Sequence, residues 1–124
     1  MSLLGDARTL IAEALSPVQA TIYAYPAEAV YPPAVMIVLD EPWAEVKGIG
    51  TRLRMHARLK LQLAVSANNN LGAVEKLEDL IQEVLVNLPS GCIVGAVSAP
   101  TIQSVGTSEL PIVEIPVIVP VADL

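Results

Sequence analysis

Residues 53–65 read Leu-Arg-Met-His-Ala-Arg-Leu-Lys-Leu-Gln-Leu-Ala-Val, and this run constrains the fold more than any other. Leu53, Met55, Ala57, Leu59, Leu61, Leu63 and Val65 alternate with Arg54, His56, Arg58, Lys60 and Gln62. Successive side chains of a strand point to opposite faces, so strict period two predicts a long strand with one buried and one polar face. A sheet built on such a strand needs an apolar cover, and two helical segments are available to supply it.

The first is residues 3–15. Leu3, Leu4, Ala7, Leu10, Ile11, Ala14 and Leu15 recur at helical spacing. Ser2 suits the N-cap, Asp6 suits the positive helix end, and Ser16-Pro17 stops the helix. The second runs from about Leu71 to Leu88, after an Asn68-Asn69-Asn70 turn. Val74, Leu77, Ile81, Val84, Leu85 and Leu88 form its apolar face; Pro89, Ser90 and Gly91 end it.

The remaining segments read as strands. Gln19–Tyr25 is rich in strand formers up to Pro26, and Ala34–Leu39 is a short apolar run closed by Asp40, Glu41 and Pro42. Cys92–Val97 and Ile102–Val105 are short candidates. Ile112–Val121 is longer, and Pro116 predicts an edge position or a bulge because it cannot donate to a ladder. Pro111, Pro116 and Pro120 exclude a helix there. The order α-β-β-β-α-β-β, with no alternating βαβ pattern, predicts an α+β fold: a mostly antiparallel sheet with both helices on one face. A chain of 124 residues fits a single domain over 1–124.

Composition narrows the function. Apolar residues make up 53% of the chain, yet there is no Phe, one Trp and three Tyr, so the core is expected to be aliphatic. A net charge of −6 argues against a general nucleic-acid binder. Cys92 is alone, which leaves no internal disulfide and fits a reducing compartment. With His56 the only histidine, neither a metal site nor a cofactor is expected. The start of the chain does not read as a signal peptide, and no helix-compatible run is long enough to span a membrane.

No catalytic set is expected. His56 and Cys92 lack any local signature and read as a surface histidine and a small buried thiol. Asp40-Glu41 and Glu78-Asp79 read as solvated carboxylates. Gly48-Ile49-Gly50 and Gly91…Gly95 match no phosphate-cradling loop.

Three features point to protein contacts. Arg52, Arg54, Arg58 and Lys60 are four of seven basic residues and share one strand face with His56. They read as a docking surface for an acidic partner, another copy included, with a solvated face or a patch facing DNA inside a ring as alternatives. The last strand is apolar on both sides, Ile112 and Ile118 on one and Val113, Ile115, Val117 and Val119 on the other. One side meets the helices; the other meets a neighbouring subunit or the chain's own loops. The Glu41–Thr51 segment reads as an extended hairpin tip in which Trp43 is either an interface anchor or folded back on the domain.

In the order of its segments the chain resembles the small tail-terminator, or tail-completion, proteins of long-tailed bacteriophages and prophages. The resemblance spans nearly the whole chain: EALSPVQATIYAYP, PPAVMIVLDEP, TRLRMHARLKLQLAVS, LGAVEKLEDLIQEVLVNLP and LPIVEIPVIVPV. It implies a homo-oligomeric ring, commonly a hexamer, that caps the tail tube, stops its growth and presents a head-joining surface. Implied partners are further copies, the tail tube protein and a head–tail connector protein, with DNA at most passing through the lumen and no membrane. The implied location is the virion tail or neck, after assembly in the host cytoplasm. Head-closure and connector proteins are the competing reading; a small hydrolase or ligand-binding enzyme subunit is the alternative from another class.

Overall fold

The computed structural model describes residues 2–25, 29–50, 52–66, 70–106 and 108–122. Pro26, Thr51, Asn68 and Asn69, which carry parts of the turn and loop expectations, lie outside the described residues. Helix α1 (Leu3–Ala14) is followed by β1 (Thr21–Tyr23), β2 (Ala34–Gly48), β3 (Arg54–Ala64), α2 (Asn70–Asn87), β4 (Ile93–Val94), β5 (Thr101–Val105) and β6 (Ser108–Ala122). The fold is α+β, and helices and strands follow the expected order, with the two-residue β4 preceding a final hairpin.

All six strands form one sheet in the order β1-β2-β3-β6-β4, with β5 also on β6. Every pairing is antiparallel except the short β1–β2 pair. Strand β3 sits at the centre, as its alternation requires. Leu59, Leu61 and Leu63 lie opposite Val117, Ile115 and Val113 on one side, and Leu61 and Leu63 lie opposite Ile37 and Val35 on the other. These side chains are at most 1% exposed. Both helices pack on this face, burying Ala7 and Ile11 from α1 and Ala73, Leu77, Leu80 and Val84 from α2. Full burial of one Leu, Ile or Val contributes about 1.5–3 kcal/mol, so this layer dominates stability. The buried hydrophobic residues include no aromatic side chain, as the composition implied.

At the N-terminus of α1 the Gly5 N–H donates to Ser2 Oγ at 3.0 Å, so Ser2 caps as expected. Not every helical apolar residue is covered. Leu10, Val74 and Leu85 were placed on the buried faces, yet each is at least a third exposed. The apolar arcs are wider than the sheet can cover, and Ala73 and Leu80 take the inner positions on α2.

Strand β6 corrects the expectation drawn from Pro116, because it lies inside the sheet, between β3 and the outer strand formed by β4 and β5. The N–H groups of Gly95 and Ser98 donate to the carbonyls of Pro116 (2.8 Å) and Glu114 (3.0 Å). Even-numbered residues of β6 therefore turn their backbone toward the outer strand. The donor that Pro116 lacks would face residues 95–100, where the outer strand leaves the ladder: seven steps from Val94 to Thr101 oppose five from Val117 to Ile112. Pro120 lies beyond the β4 pairing, which starts at Ile93–Ile118. Pro111 has the opposite parity and lies past the last β3–β6 pair, Ala64–Ile112. Pro116 and Pro120 thus sit where the outer strand has bulged or ended, whereas the Pro111 carbonyl still accepts the Val65 N–H at 3.4 Å and the ladder stops there.

Candidate interaction surface

The alternating residues of β3 place Arg54, His56, Arg58, Lys60 and Gln62 on the face opposite the helices. Neighbouring strands bring carboxylates to them. Arg58 lies 3.0 Å from Glu45 and 3.8 Å from Asp40, both on β2. Lys60 lies 3.9 Å from Glu114 on β6, and Gln62 Nε2 donates to the same carboxylate at 2.9 Å. Lys47 adds a 3.3 Å contact to Glu45. Lys47 and then Arg58 hold the Glu45 carboxyl below its ordinary value by hydrogen bonding and charge.

The basic stripe is thus partly neutralised within the chain. No acid separates these cations in the sequence, but the register supplies three from adjacent strands. Arg54 is exposed, with its guanidinium against Gly48, and Arg52 lies outside the strand before it. Within the stripe, Arg58 and Lys60 therefore have acidic neighbours from the chain itself, which lowers the net positive charge they present.

Expectations for the last strand divide. Ile112 was placed on a contact surface, but it is 1% exposed. It belongs to a second, smaller apolar cluster on the outer face with Val30, Ala34, Met36, Ala64 and Leu110. The chain covers this end of β6 itself, with Val30 from the link before β2, Met36 from β2 and Val105 from β5 packed in the same cluster. Ile118 is half-buried, opposite Arg58 and Ile93.

The Glu41–Thr51 segment is not a loop up to Gly48. It continues β2, pairing Ala44 with Ala57, Glu45 with His56 and Val46 with Met55. The alternation Ala44-Glu45-Val46-Lys47 carries that signal, hidden in the sequence by Pro42 and the two glycines. Between Leu39 and Ala44, β2 advances five residues while β3 advances two, so Pro42 and Trp43 lie in a bulge. The resulting hairpin arm exposes Leu39 (44%), Trp43 (42%), Val46 (61%), Ile49 (81%) and Leu53 (37%). Five large apolar side chains are thus exposed along this arm; from the sequence only Trp43 is expected at a surface, and Leu53 is expected on the buried face.

Two clefts remain. One of about 230 Å³ is lined by Lys47, Arg54, Met55, His56, Pro120, Val121 and Ala122, so His56 has neither a carboxylate nor the Cys92 thiol beside it there. The other, about 320 Å³, lies where α2 meets the starts of β1 and β2; Lys76, Asp79 and Glu83 face it, and Glu83 accepts the Gln19 N–H. Cys92 is half-buried, and desolvation pushes its thiol up, which makes the thiolate scarcer. Among the described residues no three His, Cys, Asp or Glu side chains gather as metal ligands, and no helix is long and apolar enough to cross a membrane.

No protein-family model matches the chain, and no curated protein matches it either.

Proposed function

We propose that this chain is a structural assembly subunit that acts through contacts with its own copies and with other proteins, in the manner of the ring that ends a phage tail tube. The observation that carries the reading is the β2–β3 hairpin arm. Its exposed Leu39, Trp43, Val46, Ile49 and Leu53 lie on or beside two paired strands continuous with the core sheet. A monomer gains nothing from leaving these side chains in water, whereas a partner that covers them removes apolar surface from solvent. Aromatic and aliphatic anchors of this kind commonly carry most of an interface's energy.

A tube built by stacking has no intrinsic stopping point, since each ring recreates the surface that receives the next. A terminator must match the tube on one side and differ on the other. A small sheet domain with a projecting arm suits that task, and the order of segments resembling tail-terminator proteins supports it. Deleting the gene and imaging the particles tests the reading. Tubes of uncontrolled length that fail to join heads are expected. Normal tails with leaking heads would move the protein to the head-closure role, and intact infectious particles would overturn both.

A further inference from the structure

The outer edge of the sheet leads to a contact distinct from the hairpin arm. Since even-numbered residues of β6 face the outer strand, their β5 partners Thr101, Gln103 and Val105 bond inward. The N–H and C=O groups of Ile102 and Ser104 therefore point away from the sheet. Ile102 is 64% exposed, and Ser104 is also exposed. Natural sheets blunt such an edge with charge, a bulge or a covering loop. This one carries no charge: no Asp, Glu, Lys or Arg occurs between Glu83 and Glu109.

We infer that β5 is a self-recognition edge, pairing antiparallel with β5 of a second copy about a two-fold axis at Gln103. Three observations select the occupant and the register. Pro100 has the outward parity of Ile102 but lacks an N–H, so pairing cannot extend past residue 101. At the other end β5 stops at Val105, before Gly106, whose φ of 63° turns the chain. The usable window is 101–105, centred on Gln103. An axis there sets Ile102 of each copy opposite Ser104 of the other, so both outward donors and both acceptors of each copy are used. Charge then favours a second copy. With a net charge of −6, two copies repel over most of their surface, and β5 itself adds no charge to the contact, the carboxylate of Glu109 lying one strand inward opposite Ser104. The contact is isologous, so it joins copies in pairs and closes no ring by itself. It is small, and therefore weak and dependent on concentration.

Sedimentation velocity on the full chain over a wide concentration range tests it. A reversible monomer–dimer equilibrium is expected. Ser104→Pro removes an outward N–H and leaves the β5–β6 ladder intact, so it should weaken the dimer by about tenfold or more with an unchanged circular dichroism spectrum. Should that variant fold poorly, Ile102→Lys places a charge on the edge and should have the same effect. In a Cys92→Ser background, Gln103→Cys should give a disulfide-linked dimer under mild oxidation, since directly opposed residues lie within disulfide reach. Ile93→Cys, outside the window, is the control. A monomer at every concentration overturns the inference. So does a dimer indifferent to both edge variants, or cross-linking at 103 no greater than at 93. A ring that still forms in Ser104→Pro protein while pairing of copies is lost supports this contact and leaves the tail-end reading untouched, since the contact closes no ring.

Discussion

Arg58 shows how a charge that looks free in the sequence is held in the fold. Its side chain is 27% exposed and lies between Glu45 and Asp40. Reversing it to Glu would set three carboxylates together, so Arg58→Glu is expected to cost about 1 kcal/mol in urea denaturation, the scale of a partly exposed pair. Arg54→Glu at the exposed end of the stripe is expected to stay within about 0.5 kcal/mol of the parent, which makes it the cleaner probe of partner binding. Glu45 adds a pH signature. Its folded value lies below 4.5, so its pairing stabilises the protein above that pH and is lost as pH falls through the lowered value. In acid titrations, the stability gap between the parent and Glu45→Gln should close on the acid side of 4.5 and stay open above it.

Strand β6 separates core from surface within one element. Ile112 is closed into the second cluster, so Ile112→Ala is expected to cost about 2–5 kcal/mol. Half-buried Ile118 should cost less on the same change, and guanidinium unfolding of the two variants checks the order. Where the outer strand passes Pro116, a Cβ on Gly95 would sit 2.7 Å from the proline Cγ. Gly95→Ala is therefore expected to lose about 1–3 kcal/mol through overpacking, unless the outer strand shifts away. The alternation in residues 53–65 announced β3 because burial on one face imposes it locally. The end of β2 was hidden because Pro42 and two glycines are turn formers by propensity, and only pairing with β3 overrides them.

For the molecule as a whole, the helices and both apolar clusters account for stability, while the hairpin arm stands outside that accounting. Val46→Lys and Ile49→Lys are expected to leave unfolding free energy within about 0.5 kcal/mol of the parent, since both side chains are largely exposed. The same pair should abolish assembly onto a tube or ring, read by electron microscopy and sedimentation. A double variant that assembles normally would remove the arm from the proposed interface.

The sequence by itself determined the α+β class, the helix positions, the central strand and the aliphatic core, because each follows from local periodicity or composition. It also placed the β3 cations on one face. Only the tertiary structure decided what those cations meet. Asp40, Glu45 and Glu114 reach them through strand register, and register depends on pairing between segments far apart in the chain. The same holds for Ile112, whose cover comes from residues on other segments, and for β6, whose three prolines suggested an edge. An interior strand can hold them because the missing donors of Pro116 and Pro120 fall where the neighbouring strand has bulged or ended and Pro111 lies at the end of the β3 ladder, and the neighbour's path is not written in β6's own residues.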